Sequence, residues 1–143
     1  MPTARRSRTL AADPSRVWAV VEDPHHLPRW WPGVQRTEGV ATDHWTEVYI
    51  TKKGRPVRSD FRLLESDPQR RRCWTQELAE TPFERVLIES VVEIELEPAG
   101  EGTRVTITQR QRLRGSARTG AFLLRRATAR RLGEALDGLE RIA

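Results

Sequence analysis

Between residues 34 and 113 the chain leaves no room for a crossover helix, and this limits its fold more than any other feature. Six runs of strand-forming residues, 34–40, 45–51, 57–65, 71–78, 84–97 and 103–113, are divided by short stretches rich in Gly, Pro and Asp. A parallel pair needs a dozen or more connecting residues, so neighbouring runs must pair antiparallel as a meander. A short basic run at 5–10 adds a seventh strand.

The last hairpin carries its own register. Val92, Ile94 and Leu96 alternate with Glu93, Glu95 and Glu97, while Val105 and Ile107 alternate with Arg104, Thr106 and Thr108. Pairing Leu96 with Val105 sets Glu97 opposite Arg104 and Glu89 opposite Arg112, and opposed charges on the outer face support that pairing. The inner row then places Val92 opposite Gln109, Ser90 opposite Gln111 and Ile88 opposite Leu113. Ser90, Gln109 and Gln111 thus form a polar patch on an apolar face. Each buried polar group left unpaired costs about 1–3 kcal/mol, so water, Arg125 or a ligand is expected to satisfy them, unless twist at this end wets the patch.

After the strands comes one long amphipathic helix over 116–143, with Ser116 or Thr119 as its cap. At ~100° per residue, Ala121, Leu124, Thr128, Leu132, Ala135, Leu136, Leu139 and Ile142 share a face. Arg125 and Thr128 make that face impure. Arg125 is expected over the sheet, where its guanidinium must find a carboxylate, the polar patch, an anionic ligand group or water, with snorkelling to the helix edge as the alternative. A helix with polar groups on its buried side suggests a lid over a cavity.

Ahead of the meander, Asp13-Pro14 and Asp23-Pro24 each start a short helix, with Asp as cap and Pro at the first helical position. Val17, Trp18, Val20 and Val21 give the first an apolar side. Pro28 and Pro32 confine the second and bracket Trp30-Trp31, which are expected at the rim, closing the open end of the sheet or gating a cavity mouth. Trp18 is expected in the core.

The length of 143 residues fits a single domain over 1–143 with a real core. The lone Cys73 rules out an intrachain disulfide and fits a reducing compartment, the cytoplasm. The start has no apolar core of a secretory signal, and no run approaches a spanning helix. Net charge is +5, which raises RNA, the ribosome or an anionic membrane as partners. Lys52 and Lys53 are the only lysines among 25 basic residues, and the arginines are dispersed rather than gathered, which disfavours nucleic acid.

No catalytic motif stands out. His25, His26 and His44 lack partners at useful spacing, Ser90 has no histidine in register, and no pair has metal-ligand spacing. Asp60 and Glu77 point inward only if their strands take the less favoured phase. No metal and no cofactor is expected.

The element order, VWAVVEDPHHLPRWWPGV near the start and GTRVTITQRQRL before the last helix together resemble the START-like helix-grip (SRPBCC) superfamily. Within it the chain is similar to the bacterial polyketide cyclase/dehydrase and lipid-transport group. The resemblance implies an α+β helix-grip fold, a curved antiparallel seven-stranded sheet holding the long helix over a cavity, with a hydrophobic ligand between them. The expected function is binding of a lipid-like or polyketide-like molecule, by a monomer or homodimer. One alternative is a cyclase or dehydratase using Arg125, Gln109 and Gln111 on an oxyanion or enolate. A second, from another class, is a basic interaction module. Candidate cavity residues are Arg125, Thr128, Leu124 and Ala121 on the helix, Gln109, Gln111, Ser90 and Phe61 on the sheet, and Trp30 and Trp31.

Overall fold

The computed structural model describes residues 2–143, the side chain of Ser116 excepted. Seven strands form one sheet: β1 (Thr3–Leu10), β2 (Val34–Glu38), β3 (His44–Ile50), β4 (Pro56–Asp67), β5 (Arg71–Gln76), β6 (Leu87–Ala99) and β7 (Gly102–Leu113). Their order is β1-β7-β6-β5-β4-β3-β2, and every pairing is antiparallel. The meander runs from β2 to β7, and β1 closes onto β7. Helices α1 (Pro14–Val21) and α2 (Leu27–Trp30) carry the chain from one edge of the sheet to the other. The 22-residue α3 (Ala121–Ile142) lies across the inner face. This is the α+β helix-grip architecture.

Local chemistry explains the turns into this frame. Asp13 caps α1 by accepting from the Arg16 N–H at 2.9 Å, with Pro14 at the first helical position. Asp23 accepts from the His25 N–H at 3.0 Å and opens the 3-10 turn Pro24–His26 that leads into α2. At Gly102 an added Cβ would stand 2.0 Å from the Leu10 carbonyl oxygen, so the close crossing of β1 over the last hairpin admits only glycine. Thr103 locks the crossing by donating its hydroxyl to the Ala12 carbonyl at 2.8 Å.

The hairpin register is the one the charges specify. Leu96 faces Val105, Glu97 faces Arg104, Glu89 faces Arg112, Val92 faces Gln109 and Ser90 faces Gln111. One pair differs: a bulge between Leu87 and Glu89 puts Leu87, not Ile88, opposite Leu113, and leaves Ile88 exposed. The strand also starts later than residue 84, because Pro82–Arg85 forms a 3-10 turn.

The core lies between the inner face, α1 and the C-terminal two thirds of α3. Leu10, Val17, Ile94, Val105 and Ile107 pack there with Leu132, Ala135, Leu136 and Leu139. Gly138 sets the helix against α2, since a Cβ there would stand 2.5 Å from the Trp30 carbonyl oxygen. Asp137 and Glu140 take Arg8 of β1 as their cation.

Two expectations about the helices need correction. α3 begins at Ala121, after a 3-10 turn over Gly115–Gly120, so Gly120 and not Thr119 occupies the cap position. The expected Ser116 cap rests on a side chain that is not among those described. Trp18 is core as expected, but Trp30 and Trp31 are not at a rim: they are buried at 3% and 7% exposure and belong to the same core cluster. The short α2 turns its apolar side inward under α3, and both rings follow it.

Candidate functional site

β3 contributes the most unusual group in the molecule. Trp45, Glu47 and Tyr49 alternate along it and share the inner face, as a strand's two-residue period requires. Glu47 is 2% exposed. Its Oε2 accepts from the Trp45 indole N–H at 3.0 Å and its Oε1 from the Tyr49 hydroxyl at 2.5 Å. Burial pushes the Glu47 carboxyl above its ordinary range, against the opposing pull of the Tyr49 and Trp45 donors and of Arg131. Burial and the adjacent carboxyl also push the Tyr49 phenol up, which keeps it a donor.

Aromatic rings build the walls. Trp30 meets Trp31 edge to face at 5.4 Å between centroids, Trp31 meets Trp74 at 5.8 Å, and Trp74 meets Trp45 at 5.8 Å. Phe61, directly across from Trp45 on β4, stacks on it at 6.0 Å. Such offset and edge contacts hold the rings in fixed orientations. Behind Trp45 lies the buried Arg72, 5.7 Å from its ring centroid, with its guanidinium pushed down by burial and supported by Glu22 and Asp23.

The opposite wall is the polar patch of β6 and β7. Gln109 donates to the Ser90 hydroxyl at 3.3 Å, and Thr128 of α3 donates to Gln111 Oε1 at 3.0 Å. Protein groups therefore satisfy much of the patch that the sequence leaves open. Thr128 is the link, and it ties the helix to the sheet at this point.

These walls enclose an inner chamber of about 190 Å³, lined by Glu47, Tyr49, Trp31, Trp74, Ser90, Gln109 and Gln111 among others. It continues into an outer compartment of about 560 Å³ reached past Pro32, Gly33 and Val57. The two share Tyr49, Phe61, Gln76, Phe83 and Arg131, so they form one cleft. A void of about 150 Å³ takes a benzene ring, so there is room for a compact ring system inside and for a longer body in the outer part.

Of the ten residues expected at the cavity, the structure brings five to the inner chamber: Trp31, Phe61, Ser90, Gln109 and Gln111. Thr128 is buried and closes the patch from above. Trp30 stands behind Trp31 and lines a neighbouring cleft with Pro28 and Gln35, which meets the outer compartment at Pro32, Gly33 and Glu134. Ala121 and Leu124 are half-buried on the first turns of α3 and are not among the residues that line the two compartments. Arg125 is the clearest correction. It is exposed, and its guanidinium lies 6.0 Å from the centroid of the exposed Phe122 ring rather than over the sheet. At ~100° per residue, Arg125 and Arg131 sit about 60° to either side of Thr128, and the cleft opens on the side of Arg131.

The sequence reading missed Glu47, Tyr49, Gln76 and Arg131. The signal for the first two was present, since a glutamate flanked at i−2 and i+2 by aromatics shares their face. Asp60 and Glu77, by contrast, point outward, where Asp60 accepts from Thr46 and Glu77 from Arg62. Among the described residues no group of three His, Cys, Asp or Glu is placed to hold a metal ion. No described helix is long and apolar enough to cross a membrane.

Comparison with known proteins agrees with this architecture. The family described as polyketide cyclase / dehydrase and lipid transport matches residues 1–143. No curated protein matches the chain. Among solved structures, TTHA0849 from Thermus thermophilus superposes with a TM-score of 0.77 at 23% identity, covering 98% of this chain and 95% of that one. The di-domain ARO/CYC BexL from the BE-7585A biosynthetic pathway gives a TM-score of 0.80 at 23% identity, over 99% of this chain and 46% of that one. The di-domain ARO/CYC StfQ from the steffimycin pathway gives 0.79 at 14% identity, over 99% and 50%. At these identities the likeness is one of fold.

Proposed function

This chain belongs to the polyketide cyclase/dehydrase and lipid-transport family, and we propose that it binds an amphipathic, largely apolar small molecule, lipid-like or polyketide-like, in the cleft between sheet and α3. One observation carries the reading: a single void has aromatic walls and inward polar groups on two opposite sides, Glu47 with Tyr49 on β3 and Ser90 with Gln109 and Gln111 on β6 and β7. Mostly apolar walls with a few placed polar groups are the usual composition of a small-molecule site. An apolar fluorescent probe is expected to bind with affinity of about micromolar order and to be displaced by fatty acids or polycyclic aromatics. A folded protein that takes up no probe, or a bound probe that none of these competitors displaces, removes the reading.

A second reading, cyclisation or dehydration of a polyketide-like substrate, is favoured by a buried carboxyl and a phenol facing the same void. Groups with displaced ionisation inside a cleft are the usual material of acid–base chemistry. In this reading Glu47 and Tyr49 take the place that the sequence assigned to Arg125. Incubation with a poly-β-ketone substrate separates the two: a binder returns it unchanged, whereas an enzyme releases water or a new ring.

A further inference from the structure

Glu47 has more acceptor capacity than its neighbours use. Each of its oxygens accepts one hydrogen bond, from Trp45 and from Tyr49, whereas a carboxylate offers about four lone-pair sites. The residue lines the inner chamber. Its cross-strand neighbours, Thr37 on β2 and Ser59 on β4, carry no charge. From its own strand it faces the Tyr49 phenol, and from α3 it faces Arg131, with Glu134 further out in the outer compartment.

We propose that Glu47 determines the specificity of this cavity, taking a hydrogen bond from a hydroxyl group on an aromatic ligand and turning away ligands that present a carboxylate there. The inference rests on the cavity reading above and not on turnover. A hydroxyl both donates and accepts, so it complements Glu47 whether the carboxyl is ionised or protonated. A ligand carboxylate complements only the protonated acid. Beside the ionised form it brings a second carboxylate to a place where Arg131 already faces the first, so two like charges compete for one guanidinium in a desolvated space. Burial moves the change of state above the ordinary carboxyl range. The aromatic walls select the flat body that carries the hydroxyl.

The test uses 2-naphthol and 2-naphthoate, titrated by quenching of tryptophan fluorescence between about pH 5 and pH 8.5, where the phenol stays neutral and the acid stays ionised. Affinity for 2-naphthol is expected to hold or rise slightly across this range, because an ionised acceptor makes the stronger bond, while affinity for 2-naphthoate falls about tenfold or more as pH rises. In Glu47→Gln the naphthoate profile becomes level and naphthol binds more weakly. In Tyr49→Phe, which removes a donor to the carboxylate, the naphthoate midpoint moves to higher pH. Thermal melting shows which variants fold, and if Glu47→Gln does not, the Tyr49→Phe midpoint decides. The same naphthoate slope in Glu47→Gln as in the parent, or an unmoved midpoint in Tyr49→Phe, overturns the proposal. A folded parent that binds neither probe at any pH takes down the cavity reading and this inference with it.

Discussion

Single residues decide this site more than elements do, and α3 shows how small the margin is. Arg125 and Arg131 are placed almost symmetrically about Thr128, and only one reaches the cleft. Thr128 itself is buried with Gln111 as its acceptor. Thr128→Val keeps the shape but leaves Gln111 Oε1 without that donor, so it is expected to cost about 1–3 kcal/mol. Arg125→Leu is expected to cost at most about 0.5–1 kcal/mol, the scale of an exposed cation–π contact such as the one with Phe122. Urea denaturation measures both. An Arg125→Leu loss as large as that of Thr128→Val would put Arg125 back in a buried network.

At the scale of elements, the hairpin was readable because its two faces carry different information. Glutamates and arginines on the outer face specify the pairing of β6 with β7, and that pairing locates the inner polar row. β3 was not readable in the same way. Val48 is fully buried on the opposite phase from Trp45, Glu47 and Tyr49, flanked across the ladder by Arg36 and Arg58. With apolar residues on both phases, alternation could not choose the inner one. The start of α3 was misread because Ser116 and Thr119 are good capping types, whereas the chain there forms the 3-10 turn Gly115–Gly120 and the apolar face begins only at Ala121. How α3 sits depends on two glycines of opposite kind. Gly138→Ala places a Cβ against the Trp30 backbone and is expected to destabilise by about 1–3 kcal/mol. Gly133→Ala meets nothing within 4 Å and is expected to stabilise the helix by about 0.5–1 kcal/mol. Paired thermal melts check the contrast, and stabilisation by both substitutions would mean that α3 does not rest on α2.

For the whole molecule, the ionisation of Glu47 ties the cavity to global stability. Asp13, Asp23, Glu38 and Asp43 are held below the ordinary carboxyl range by hydrogen bonds and nearby cations, partly offset by burial, which is the largest influence on Asp23. Their stabilisation is present above the unfolded value and is lost as pH falls through the folded one. Glu47 has the opposite sign. Its folded value is raised by burial, so between the unfolded value near ~4.3 and the raised folded value the native state holds more protons than the unfolded chain. Stability therefore falls as pH rises through that window and levels off above it. Glu95, raised by its hydrogen bond to Glu93 and by burial, adds a slope of the same sign, so the parent curve alone does not isolate Glu47. The difference between parent and Glu47→Gln does. Unfolding free energies from urea titrations between about pH 4 and pH 8 are expected to show the parent losing ground to Glu47→Gln as pH rises, with the difference constant once Glu47 is fully ionised. A difference that stays level throughout would mean that the carboxylate is as well solvated in the fold as in the unfolded chain, and that the chamber it lines is wet.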